Sequence, residues 1–93
     1  MNEQIRILQL IDSLQVGGAE VLAVNIANAL SKVGISSYLC VSRNEGSLKE
    51  NINPSVGYLF LERKKTIDIT AIKKLKNYIK KNNISIIHAH STS

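Results

Sequence analysis

Apolar residues along this chain fall into short runs and helical stripes that alternate. Ile5, Ile7, Leu8, Leu10 and Ile11 form a run rich in β-branched residues, the signature of a strand covered on both faces. Between Ala19 and Val33, apolar residues at 19, 22, 23, 26, 30 and 33 form a stripe of helical period. Gly34 follows, where a left-handed stop is expected. "SSYLCVS" (36–42) reads as the second strand. The connector "RNEGSLKENINPS" is punctuated by Gly46 and Pro54 and has room for one helical turn. "VGYLFLE" (56–62) is the third strand. Asp68 is a good N-cap for a second long helix, whose buried face would be Ile69, Ile72, Leu75 and Ile79. Asn82-Asn83 ends that helix, and "ISIIHAH" (84–90) is the fourth strand, with Ile84, Ile86 and Ile87 forming its apolar edge.

Long helices between strands predict an α/β fold with a mainly parallel sheet and right-handed crossovers. In a Rossmann-like arrangement the spatial order is 3-2-1-4, and the chain reverses direction across the sheet between the first and fourth strands. Ligands bind at the carboxyl ends of strands beside such a switch point. Two separated segments meet there: "DSLQVGGAE" after strand one and "HAHSTS" after strand four.

The glycine loop has the position of a phosphate-binding turn without either familiar spacing. A helix N-terminus carries unpaired N–H groups and partial positive charge, and glycine in front of it lets a ligand approach the backbone. Gly17 and Gly18 occupy that place. No G-x-G-x-x-G is present, and the second strand ends in Ser42-Arg43 where an NAD-binding protein carries an acid. No G-x-x-x-x-G-K-[ST] is present either, which excludes that nucleotide triphosphatase loop. Two readings stay open: a strand-to-helix turn that merely needs glycine, and a loop cleared for a ligand. Glu20 likewise either complements the helix dipole or faces a ligand hydroxyl.

His88 and His90 are two apart on a strand and so share a face. No further histidine exists, and Cys40 lies on a strand not adjacent to theirs, so no metal site is expected. His90, nearer the strand end, is the better general base or loop brace. His88, one pleat deeper, reads as structural.

Composition narrows the partners. The 93 residues make at most one structural unit with a thin margin of stability. A hydrophobic fraction of 44% argues for a folded chain rather than a disordered one. The net charge is +5, concentrated in Arg63-Lys64-Lys65 and in Lys73, Lys74, Lys76, Lys80 and Lys81. Few aromatics accompany them and no base-reading motif is present, so no nucleic-acid partner is expected. A solvated lysine face and an anionic membrane surface are the two readings of the second stretch. The lone Cys40 allows no intrachain disulfide, and a cytoplasmic setting is expected. The first apolar run is too short to span a membrane, which leaves peripheral contact at the membrane's inner face open.

Taken together, "IRILQLIDSLQVGGAEVLAVNIANALSKVG" and "KNNISIIHAHSTS" resemble the start of the family-4 glycosyltransferases, retaining enzymes of the two-domain GT-B fold. That family opens with a strand, a Gly-Gly-Ala-Glu loop and a long helix ending in Gly. Its fourth strand reads "DIIHAHS" after a lysine-rich helix; Ser85 stands here where that pattern has Asp. The resemblance covers nearly the whole chain. It implies that Gly17 and Gly18 lie close to the donor diphosphate and the acceptor, that Glu20 belongs to the same substrate-binding motif, and that His90 and Ser91 sit at the mouth of the acceptor pocket. The substrates implied are a nucleotide-sugar and an acceptor (a glycan, a lipid carrier or a small molecule), with no cofactor. The family's further active-site His and its whole donor-binding domain lie beyond position 93. Residues 1–93 are therefore expected to form part of an amino-terminal, acceptor-side domain that contains no catalytic residue and is inactive alone. A non-catalytic subunit that docks onto a separate carboxy-terminal chain is the other expectation.

Overall fold

The computed structural model describes residues 4–90. Its elements are β1 (Arg6–Ser13), α1 (Gly18–Lys32), β2 (Ser36–Asn44), a 3₁₀ turn (Ser47–Asn51), β3 (Gly57–Phe60), α2 (Ile69–Lys81) and β4 (Ile86–Ala89). The four strands form one sheet in the order β3-β2-β1-β4, and every pair is parallel. The expected order is therefore the observed one, and the sheet is wholly rather than mainly parallel.

β1 is central because it is apolar towards both layers. Leu8 and Cys40 pack beneath α2 with Leu61 and Ala71. Ile11, Leu14, Leu39 and Val41 pack beneath α1 with Ala23, Val24 and Ala27. The buried face of α1 is thus built of small residues, while Leu22 and Val33 of the apolar stripe are 53% and 72% exposed. In α2 the buried residue is Ala71, with Leu75, Tyr78 and Ile79 beside it, and the expected Ile69 and Ile72 are exposed. Periodicity locates a stripe; the close approach of helix to sheet selects its alanines.

Both helices stop as their sequences dictate. Gly34 has φ +85 and Asn83 φ +52, the left-handed conformation that glycine and asparagine tolerate best. Asp68 caps α2 by accepting from the Ala71 N–H at 3.2 Å. The connector is tied down by Asn28 of α1, which accepts from Asn53 N and donates to Asn51 O.

Among the described residues β4 pairs with β1 alone, and all four residues of β4 are exposed. Ile84, expected within that strand, instead precedes it: its N–H bonds Ile79 O and its side chain packs on the α2-side core. No helix among the described residues is long and apolar enough to cross a membrane.

Candidate functional site

The carboxyl ends of the strands gather the polar chemistry of the molecule. Asp12, near the end of β1, accepts from Ser42 Oγ at 2.6 Å and from Arg63 Nη2 at 3.0 Å, and pairs with Arg43. Ser42 and Arg43 lie near the end of β2, and Arg63 follows β3, so three adjacent strand ends converge on one carboxylate. Glu62, in the left-handed region at φ +55, turns the chain so that Leu61 is buried and the Arg63 N–H reaches Ser42 O at 2.7 Å. That conformation costs a non-glycine residue about 1 kcal/mol, and the pairing of Arg63 offsets it. Partial burial pushes the Asp12 carboxyl up, but its hydrogen bonds from Ser42, Arg63 and Arg43 outweigh this and hold it below the usual carboxylate range.

A pH dependence follows. A carboxyl held below its unfolded value stabilises the fold above that value, near pH 4, and loses this contribution as pH falls through the folded value. Asp12→Asn is expected to cost about 1–2 kcal/mol at neutral pH, because Arg63 and Ser42 lose an ionised acceptor. The variant should also show a shallower fall of Tm than the wild type from pH 5 to pH 2, a range on the order of the usual carboxylate titration. Parallel acid melts by circular dichroism check this; equal slopes would remove Asp12 from the account.

The glycine pair divides into two different cases. A Cβ at Gly17 would lie 2.5 Å from Glu20 Oε1, because the Glu20 side chain folds back over the loop. Ser13 Oγ donates to the other Glu20 oxygen at 3.3 Å. A Cβ at Gly18 would meet nothing within 4 Å, and Gly18 has no positive φ. Gly17 thus lies beneath the movable end of the Glu20 side chain, while Gly18 faces open space. No side chain caps the first turn of α1, so its N–H groups are left to solvent or a ligand.

His88 and His90 share the face of the sheet that α1 covers, as their spacing requires. Their rings lie 4.1 Å apart. His90 Nε2 is 2.7 Å from Oε1 of the fully buried Gln9. With that oxygen accepting, Nε2 carries the proton and Nδ1 is the ring's free acceptor. Burial, with neighbouring His88 adding to it, holds His90 below the ordinary histidine value. His88, expected deeper and structural, is instead exposed, because no strand lies beyond β4 among the described residues. Ser91 lies outside the described residues. Burial pushes the Cys40 thiol up to about 12, leaving it unreactive. Among the described residues no three His, Cys, Asp or Glu side chains come together as a metal site would require.

On the α2 side, a cavity of about 310 Å³ opens between α2 and strands β1 and β4. Leu10, Ile72, Leu75 and Ala89 supply apolar walls and Asp12, Ser42 and Arg63 polar side chains, while His90 borders the cavity just past β4 with its ring on the opposite face, towards Gln9. The crevice thus lies at the switch point between β1 and β4, where the order 3-2-1-4 puts it.

Spacing alone does not single out Gln9, Asp12 or Arg63 as site residues. Gln9 did leave a signal, a polar residue inside an otherwise apolar buried run. The Asp12–Arg63 pair bridges 51 positions, and only the strand order brings its ends together.

No curated protein and no solved structure matches the chain. The family model described as Glycosyltransferase Family 4 matches residues 16–93, a stretch that begins just before the glycine loop and contains β4 with both histidines. With the parallel sheet, the glycine turn and the β4 end in the places described above, this match assigns the chain to the family 4 glycosyltransferases.

Proposed function

We propose that these residues build the acceptor side of an enzyme that transfers a sugar from a nucleotide-sugar to a glycan, a lipid carrier or a small molecule. The observation that supports this most is Gly18, open on its outer side at the uncapped start of α1, in a chain of this family. An oxygen-rich substrate can approach the backbone N–H groups there without meeting a Cβ. In this reading His90, neutral and held by Gln9, offers Nδ1 to an acceptor hydroxyl at the mouth of the pocket, with Ser91 next in sequence. Glu20 braces the loop through Ser13. The nucleotide-sugar is gripped by residues other than these, so residues 1–93 alone transfer no sugar.

The exposed β4 supports a second reading, a non-catalytic subunit that docks onto a separate catalytic chain. One variant separates the two. Gly18→Ala has room and gains helix propensity of up to about 1 kcal/mol, so Tm should hold or rise. In the transferase that contains these residues, the added methyl should lower kcat/KM for the acceptor at least about tenfold by displacing the bound substrate. Unchanged transfer at unchanged stability would favour the docking subunit and reduce the glycine pair to a turn.

A further inference from the structure

We propose that the outer face of α2, with the loop before it, is a docking surface for an anionic lipid bilayer. At 100° per residue, Ile69, Lys73, Lys76 and Lys80 form one stripe along α2. That stripe lies opposite Ala71, Leu75 and Tyr78, which pack against the sheet. All four residues of the stripe are exposed, and so are Lys64 and Lys65 in the preceding loop. No acidic residue occurs within α2. Asp68 at its cap is already engaged by the Ala71 and Lys64 N–H groups. Lys74, off the stripe, donates to Phe60 O and so belongs to the fold.

The apolar tip separates this surface from an ordinary solvated lysine face. Ile67 is 75% exposed and Ile69 66% exposed, side by side at the start of α2 and flanked by Lys64 and Lys65. A basic stripe with branched apolar side chains at one end fits an interface where lysines meet lipid phosphates and the isoleucines enter the acyl boundary. A nucleic-acid surface would want aromatic faces beside the lysines. Tyr78, the aromatic residue of α2, is half-buried and turned edge-on to Tyr38 at 6.0 Å. The protein would lie on the bilayer through this face rather than span it.

Vesicle co-sedimentation of the full chain tests the proposal without reference to sugar transfer. The protein is expected to bind phosphatidylcholine vesicles containing phosphatidylglycerol, to ignore phosphatidylcholine alone, and to be partly released by salt. Each lysine near an anionic surface contributes roughly a fivefold factor in partitioning. Lys73→Gln/Lys76→Gln/Lys80→Gln should therefore weaken binding about a hundredfold. Ile67→Ser/Ile69→Ser, which keeps every charge, should weaken it about tenfold. Both variants change exposed side chains, and their circular dichroism should match the wild type. The proposal is overturned by absence of binding to the anionic vesicles, by the isoleucine variant binding as well as the wild type, or by tighter binding to a random oligonucleotide than to the vesicles.

Discussion

Gly46→Ala is expected to lower the stability of the fold by about 3 kcal/mol, the upper part of the range for forcing a methyl into filled space. The backbone at Gly46 is extended, with φ −150 and ψ −173, so any residue could adopt it. Space makes the demand. A Cβ there would lie 2.5 Å from the Leu14 carbonyl carbon and 2.6 Å from Gln15 N. Those are backbone atoms of the loop between β1 and α1, not the end of a side chain that can swing away. The same loop is held from this side by Leu14 N to Asn44 O at 3.0 Å and Leu48 N to Leu14 O at 3.2 Å. Making room for a methyl therefore means breaking these bonds or moving the turn that carries Gly17 and Gly18. For a domain of this size the loss corresponds to a fall in Tm of about 15 °C. A thermal melt followed by circular dichroism measures it directly; a shift of only a few degrees would mean that the β1–α1 turn is free to retreat.

Leu39→Ala should be nearly as damaging, at about 3 kcal/mol within the usual range of 2–5 for a buried leucine. Leu39 lies on the inner strand β2, between Gln9 of β1 and Tyr58 of β3, and is 0% exposed. Its side chain belongs to the cluster with Ile11, Ala23, Val24 and Ala27. Alanines already fill the opposing face of α1, so that helix offers no long side chain to collapse into the cavity. Leu22→Ala is the control. Leu22 belongs to the apolar stripe of α1 but is 53% exposed, and its truncation should cost less than about 1 kcal/mol. Urea denaturation with an unchanged slope would compare the two. Equal losses would mean that α1 presents Leu22, rather than Ala23 and Ala27, to the sheet.

The contrast between Leu39 and Leu22 shows where reading from sequence succeeds and where it stops. A strand buried on both faces leaves a nearly unbroken apolar run, so β1 and β2 stand out without any structure. A helix on a sheet leaves a stripe, but the stripe's width exceeds the line of contact. For α1 the contact is made by Ala23, Val24 and Ala27, and for α2 by Ala71 rather than Ile69 or Ile72. Small residues let the helix axis come close, and that gain is invisible to a pattern that scores large apolar side chains. The site divides the same way. The uncapped start of α1 and the shared face of His88 and His90 follow from spacing alone. That Glu20 fills the space over Gly17 and leaves Gly18 open does not, because it depends on a side-chain conformation.

The chain's order of elements, its Asp68 cap and its stops at Gly34 and Asn83 are written in local sequence, because each depends on neighbours within a turn or two. The parallel pairing also follows from local signals, since helices between strands favour parallel, right-handed crossovers, and the 3-2-1-4 order is the one a Rossmann-like arrangement of those elements takes. The Asp12 carboxylate held by Ser42, Arg43 and Arg63, and the His90 imidazole held by Gln9, belong to the tertiary structure. Their partners lie between 30 and 81 positions apart, and a hydrogen bond at that separation exists only after the sheet has brought the strand ends to one edge.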